Sequence, residues 1–356
     1  MVVQHQNRGL VKQGTNHAVV AELPLPSLRD DYILVKTVAV ALNPTDWQDL
    51  DEDFEPGAKP LLMGCDYAGI VEAVGKNVTK GLQQGDRVMG LVHGTNEACP
   101  EDGSFAEHIV AKGDICMRIP SHLSFTDAAT LPAGLATVAL GLYKHLGLPF
   151  PPETVTSGSW LLVYGGSSAT GSLAIQFAKL YLWVEGCYTT CSPRNFDFVR
   201  RRGADAVFDY HDPGCAEKIR QCTSDDLTQV FDTIATLETA KISAESMSSR
   251  KGGAYCNLMG VDAPREDVKS IFFLGYNAIG EAFYYERKEW PVVPEDYVLA
   301  KTFGILAEEL LEQGKIQPHP AAVRSGGLGA ILSGLEDMKR GKVSGQKLVS
   351  IIGNNH

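Results

Sequence analysis

The chain has 356 residues, 44% hydrophobic and 21% charged, a composition that fills two domains and excludes a disordered or fibrous protein. Its formal net charge of -11 argues against a nucleic-acid binder and gives no attraction to an anionic membrane. The opening MVVQHQNRGLVKQG lacks the apolar core of a signal peptide. The uncharged stretch from Ala128 to Tyr143 is interrupted by Pro132, Gly134 and Gly141 and is short for a membrane span, so a soluble, cytoplasmic protein is expected. The eight cysteines form no C-x-x-C pair and read as reduced thiols, Cys187 and Cys191 being the closest pair.

In chain order, about the first 120 residues read as a β-rich module dense in glycine and proline. Strands are predicted over 32–38, 68–74 and 103–110, and the segment 85–90 puts a turn before a short apolar strand. From Thr126 to Tyr143 small and aliphatic residues adopt a helical pattern, and Pro149, Pro151 and Pro152 mark a connection. Strands at 160–164, 184–190, 206–209, 230–234 and 254–259 then alternate with helical stretches, the rhythm of an α/β, doubly wound parallel sheet. Helices over 302–313 and 328–340 precede an apolar strand at 347–352 that has no partner in the α/β region. The chain is therefore expected to return and complete its first domain, dividing into 1–125 with 301–356, and 126–300.

The first α/β strand runs into Gly165 and then Gly166-Ser167-Ser168-Ala169-Thr170-Gly171, a G-x-G-x-x-G pattern with serine at the middle glycine. Small residues leading into a helix N-terminus offer amides and a positive dipole end to a pyrophosphate. In NAD enzymes an acid about 20 residues further on holds the ribose hydroxyls. That place here reads Ser192-Pro193-Arg194-Asn195, with a hydroxyl and a guanidinium suited to a 2′-phosphate, so NADPH is the predicted cofactor. Tyr210, past the third strand, is expected against the adenosine phosphate, and Leu258-Met259-Gly260 near the nicotinamide.

Four strings carry a family resemblance: Asn43-Pro44-Thr45-Asp46-Trp47, Gly64-Cys65-Asp66-Tyr67-Ala68-Gly69, the glycine loop, and Val343-Ser344-Gly345-Gln346-Lys347. Together they resemble the medium-chain dehydrogenase/reductase superfamily and, within it, the stand-alone, trans-acting enoyl reductases that serve fungal polyketide synthases. The resemblance implies a β-rich GroES-like catalytic domain beside a Rossmann domain. Alcohol dehydrogenases of the superfamily hold catalytic zinc with a cysteine where this chain has Asn43 and a histidine-glutamate pair where it has Cys65-Asp66. Cys99 also lacks the companions of a structural zinc loop, so no zinc is expected, and His93 and His108 are given no role.

By that resemblance, Thr45, Asp46, Trp47 and Gln48 should lie over the nicotinamide and its ribose. Leu131-Pro132-Ala133-Gly134-Leu135-Ala136-Thr137-Val138 should line the acyl site, with Thr137 touching the cofactor. Ala278-Ile279-Gly280-Glu281 should form its other wall, and Val343-Ser344 should close over the nicotinamide end. Relatives often carry lysine where this chain has Gln48, an amide that donates a hydrogen bond but is no strong acid. Thr45, Gln48 and Thr137 are the catalytic candidates; Tyr67 and Tyr276 are within reach but take no assigned part.

The implied reaction is hydride transfer from NADPH to an α,β-unsaturated thioester held on a polyketide synthase acyl carrier domain, with no nucleic-acid or membrane partner. The alternatives are a small-molecule quinone or alkenal reductase of the same fold, and a non-catalytic NADPH-binding partner of a synthase. Arg200-Arg201-Arg202 and Arg250-Lys251 are the basic clusters available to an acidic carrier.

Overall fold

A computed structural model describes residues 7–151, 159–181, 186–285 and 288–352. The N-terminal residues before Asn7, the connection residue Pro152 and the expected strand start at Val184 lie outside them. The chain opens with a hairpin, β1 (Asn7–Gly14) and β2 (His17–Leu23), and continues through β3 (Tyr32–Ala41), α1 (Pro44–Asp51), β4 (Leu61–Leu62), β5 (Asp66–Val74), β6 (Arg87–Leu91), β7 (His108–Lys112) and β8 (Met117–Arg118). Next come α2 (Phe125–Ala128) and α3 (Pro132–Val138), the latter running into a π-helical turn at Ala139–His145. An alternating run follows: β9 (Trp160–Tyr164), α4 (Ala169–Tyr181), β10 (Gly186–Thr190), α5 (Phe196–Arg201), β11 (Ala206–Phe208), α6 (Cys215–Cys222), β12 (Gln229–Asp232), α7 (Leu237–Ser246), β13 (Gly253–Asn257) and β14 (Val268–Phe272). The last elements are β15 (Phe283–Tyr285), β16 (Lys288–Trp290), α8 (Pro294–Glu312), β17 (Ala321–Arg324), α9 (Ile331–Lys339) and β18 (Lys347–Ile351).

The chain divides into two compact units, residues 1–133 with 276–356, and 134–275. These bounds differ from those expected: residues 126–133 and 276–300 fall in the first unit. A split at 300 would cut α8, whose Pro294, Glu295 and Asp296 open it as an N1 proline and acidic first turn well before the apolar pattern that marked 302–313.

In the first unit, β17-β18-β3-β5-β6-β8 form the main sheet, with β7 also paired to β3. The last strand does return: β18 runs antiparallel to β3, pairing Val349 with Ala41, and parallel to β17. One core lies under Ile33, Val35, Tyr67, Val71 and Val88. A second gathers Leu10, Val40, Leu42, Phe105, Ile331, Leu335 and Leu348, so the C-terminal helix and strand supply part of it. The predicted strand at 103–110 begins only at His108, because Gly103 is pressed against Leu62 and Ala106 makes an isolated bridge to Gly9.

In the second unit the sheet order is β11-β10-β9-β12-β13-β14, all parallel. That is a doubly wound order with its reversal beside β9. Leu161, Leu162, Val163 and Tyr164 are all buried, as a central strand covered on both faces requires. β12 ends at Asp232 rather than 234 because the Asp232 carboxylate accepts the Ile234 and Ala235 amides, each at 2.9 Å, and turns the chain away. The stretch Phe125–His145 is long and apolar enough to cross a membrane, but most of it is buried, as in a core helix.

Candidate active site

The second unit builds a glycine cradle from backbone and small side chains, at the place where a pyrophosphate is expected. A Cβ on Gly166 would lie 2.0 Å from Thr189 Oγ1, and one on Gly171 would lie 2.4 Å from the Gly165 carbonyl oxygen. Only glycine therefore lets β9, the turn and α4 approach this closely. Ser168, at the middle-glycine position, is spent on the protein itself. Its Oγ accepts the Gly171 amide at 2.9 Å and lies 2.9 Å from Thr233 Oγ1, so the serine caps α4. The Ala169 and Thr170 amides occupy the first turn, where helix geometry supplies no partner.

Past β10, Ser192 Oγ lies 3.1 Å from Tyr210 Oη, so two of the expected phosphate-side residues meet. Tyr210 also packs on the His211 ring at 4.0 Å. Pro193–Asn195 forms a 3-10 turn, and exposed Arg194 makes no ion pair with another described residue. After β13, Asn257 Oδ1 accepts the Met259 and Val261 amides at 3.2 and 3.1 Å, which fixes Leu258, Met259 and Gly260 as a loop rather than the predicted strand end.

The first unit builds a buried polar cluster where the sequence offered only substitutions for zinc ligands. Asp66 is fully buried at the start of β5. Its Oδ2 accepts from Asn43 Nδ2 at 2.9 Å and pairs with Lys347 Nζ at 2.5 Å, and its Oδ1 accepts the Ala133 amide at 2.7 Å. One carboxylate thus joins the cap of α1, the first residue of β18 and the start of α3. Lys347 is itself only 6% exposed. This pair was missed at the sequence level, where Lys347 was only one letter of a family string.

Beside it, the Asn43 amide donates to Asp46 Oδ2 at 2.6 Å, closing the first turn of α1. The Cys65 thiol donates towards Asp46 Oδ1 at 3.5 Å and lies 3.1 Å from Tyr276 Oη, which is 3.4 Å from Thr45 Oγ1. Thr45 Oγ1 also reaches Asp49 at 3.4 Å, and Thr95 donates to Asp49 at 2.8 Å. His93 stacks on Tyr276 with ring centroids 3.7 Å apart. Desolvation raises Asp46 to about 8 and Asp49 to about 7, although part of Asp49 reaches solvent. It lowers His93 to about 3 and pushes the Cys65 thiol and Tyr276 phenol well up, so both stay protonated and the imidazole stays neutral.

Other expected residues are placed as follows. Trp47 and Val343 join the second core of the first unit, with Leu50 and Met338. Gln48 and half-buried Ser344 flank it, the Gln48 carbonyl accepting the Glu52 amide. Ala278 and Ile279 are buried in the 3-10 turn Gly275–Ile279, and Glu281 is tied to Lys112 at 2.7 Å. Leu131, Pro132 and Ala133 belong to the first unit and Gly134, Leu135, Ala136, Thr137 and Val138 to the second. Among the described residues, no three His, Cys, Asp or Glu side chains are grouped to hold a metal ion.

Residues 29–121 match the alcohol dehydrogenase GroES-like domain. The chain is 46% identical over 348 residues to the trans-enoyl reductase ACTTS2 of Alternaria alternata, covering 96% of this chain and 98% of that one. It is 42% identical over 347 residues to the trans-enoyl reductase resD of Aspergillus sclerotiorum, covering 93% and 96%. An alcohol dehydrogenase superfamily protein from Novosphingobium aromaticivorans shares the fold, with a TM-score of 0.75 at 20% identity over 98% of this chain and 100% of that chain. Identity of this size over nearly the whole length has one meaning: the chain belongs to the trans-enoyl reductases of the medium-chain dehydrogenase/reductase superfamily.

Proposed function

We propose that this chain is a zinc-independent, NADPH-dependent enoyl reductase that acts in trans, in the cytoplasm, on an α,β-unsaturated thioester carried by a polyketide synthase acyl carrier domain. As a family member it takes a nicotinamide cofactor and reduces a carbon–carbon double bond. The observation that carries the metal-free reading is the Asp66–Lys347 pair. Where a zinc site needs thiolate, imidazole or free carboxylate ligands, this chain has the Asn43 side-chain amide, a single thiol at Cys65, and a carboxylate already paired with an ammonium 2.5 Å away. These donors do not fit Zn²⁺.

The residues of the second unit fit NADPH. The amides of the Gly166–Gly171 loop would hold the pyrophosphate, and Ser192, Arg194, Asn195 and Tyr210 the 2′-phosphate. Leu258, Met259, Gly260, Val343 and Ser344 are assigned to the nicotinamide side. When bound, NADPH supplies the hydride. The protein's part is to align the acyl group along Leu131–Val138 and Ala278–Glu281, to donate a hydrogen bond from Gln48 to the thioester oxygen as negative charge develops, and to hold Thr45 and Thr137 beside the reacting carbons.

Purified protein should oxidise NADPH with a crotonyl thioester, and omitting it from a reconstituted synthase should leave products unsaturated. Turnover of free quinones without any thioester activity would reassign it as a quinone or alkenal reductase. An unchanged product oxidation level would reassign it as a binding partner.

A further inference from the structure

Three buried polar side chains of the first unit take no part in the function proposed above: Cys65, His93 and Tyr276. Two of them complete an unbroken line. Thr45 Oγ1 lies 3.4 Å from Tyr276 Oη, Tyr276 Oη 3.1 Å from Cys65 Sγ, and Cys65 Sγ 3.5 Å from Asp46 Oδ1. Hydroxyl, phenol, thiol and carboxyl can each give and accept a proton. The stacked His93 ring holds the phenol against one face. Apolar side chains would fill the same space without the cost of desolvating four polar groups, so a line of exchangeable protons here calls for a use.

We propose that Tyr276 is a positioning residue that relays a proton to Thr45, and through it to the α-carbon of the reduced thioester, with Cys65 and Asp46 as the supply side. This rests on the enoyl-reductase reading. Hydride addition at the β-carbon leaves an enolate, whose C=C electron pair takes the Thr45 hydroxyl proton to form the new α-carbon–hydrogen bond. As the Thr45 O–H bond breaks, Tyr276 Oη gives its proton to Thr45, Cys65 Sγ gives its proton to Tyr276, and Asp46 Oδ1 gives its proton to Cys65. The negative charge ends on Asp46, where the Asn43 amide donates to Oδ2 at 2.6 Å. After product leaves, a water proton entering at half-buried Thr45 passes along the line in reverse.

With Asp46 ionised the thiol donates to its Oδ1; with Asp46 protonated on Oδ1 the thiol hydrogen turns to Tyr276 Oη, which is the starting state of the relay. Asp46 at about 8 carries its proton near neutral pH, and burial keeps the thiol and phenol protonated. Of the other charged groups around the line, Asp66 is paired with Lys347, His93 is neutral, and Asp49 is flanked by Glu52 and Lys12, whose ammonium donates to the Asp49 and Glu52 carbonyls.

The test compares wild type, Tyr276→Phe, Cys65→Ser and Cys65→Ala with NADPH and a crotonyl thioester in D₂O. It reads kcat, NADPH Kd by fluorescence, and the configuration of deuterium at the α-carbon by NMR. Tyr276→Phe is expected to lose about 100-fold in kcat with Kd unchanged, and to give mixed α-configuration as bulk water replaces the relay. Cys65→Ser should keep most of the rate and Cys65→Ala should lose about ten-fold. Unchanged Kd reports intact folding, and a merely structural tyrosine would not alter the α-configuration. Wild-type rate and single configuration in Tyr276→Phe, or equal rates for the two Cys65 variants, would overturn the relay alone. Wild type inert to every enoyl thioester would overturn the parent reading and the relay with it.

Discussion

The glycine cradle of the second unit and the polar cluster of the first are built in different ways from different materials. The cradle is local: Gly166 to Gly171 is one stretch of chain, and its closest approaches are backbone to backbone or backbone to Thr189. The cluster is assembled at long range, with Asp66 drawing on Asn43, Ala133 and Lys347, and Tyr276 on Thr45 and Cys65. Local backbone devices tolerate a side-chain change if space allows. A buried ionic junction does not, because removing one partner strands the other's charge.

The largest predicted effect follows from that contrast. Lys347→Met leaves the Asp66 carboxylate buried and uncompensated and should cost about 3–5 kcal/mol in urea unfolding. The double variant Asp66→Leu with Lys347→Met should cost clearly less than the sum of the single changes, because no lone charge remains. Additive losses would show that the pair does not act as a unit.

That contrast also explains what the sequence disclosed. The parallel α/β rhythm, the glycine turn and the returning strand were legible because each rests on neighbours in sequence: a buried apolar run, a missing Cβ, a strand with no nearby partner. The role of Ser168 was legible only in part, since its position marks the loop but its hydroxyl proves to cap α4. Asn43, Cys65 and Asp66 were visible as substitutions for metal ligands, yet nothing in the sequence says that Lys347, 281 residues after Asp66, takes up the charge. Tyr276 was legible only as a phenol within reach of the site, since its partners are set by the β-rich fold and not by spacing. The domain bounds drifted for a related reason: the first turn of α8 is polar, so the apolar period that signals a helix begins late.

Within the cradle, Arg194→Ala should weaken NADPH binding by about 10- to 100-fold, the range of a charged hydrogen bond, while NADH binding changes little. Equal losses for both cofactors in a fluorescence titration would remove the 2′-phosphate assignment. Gly166→Ala tests the backbone itself. Its new methyl meets Thr189 Oγ1, a buried hydroxyl that donates to the Val163 carbonyl at 2.7 Å and so cannot simply turn away. Overpacking of this kind should cost about 1–3 kcal/mol, with Thr189→Ala in the same chain restoring part of it.

The last effect is read as a slope rather than a single loss and concerns the pH dependence of the cluster. Asp46 is raised by desolvation to about 8 in the folded chain, against an ordinary carboxylate value of 3.8 when unfolded. Between those values the folded state binds more proton than the unfolded state, so stability from this group is fully present below about pH 4 and is lost as pH rises through about 8. The slope is at most one proton, or about 1.4 kcal/mol per pH unit. Asp46→Asn keeps an oxygen for the Asn43 amide but cannot ionise. Its stability, measured by urea unfolding from pH 5 to 8, should fall less steeply with pH than that of the wild type. Parallel curves would mean that Asp46 is ionised throughout, which would also remove the proton supply from the Cys65–Tyr276–Thr45 line. Because the cradle's glycine loop contains no titratable side chain, Gly166→Ala should leave that slope unchanged, and the pH profile separates the two regions even where their effects on total stability overlap.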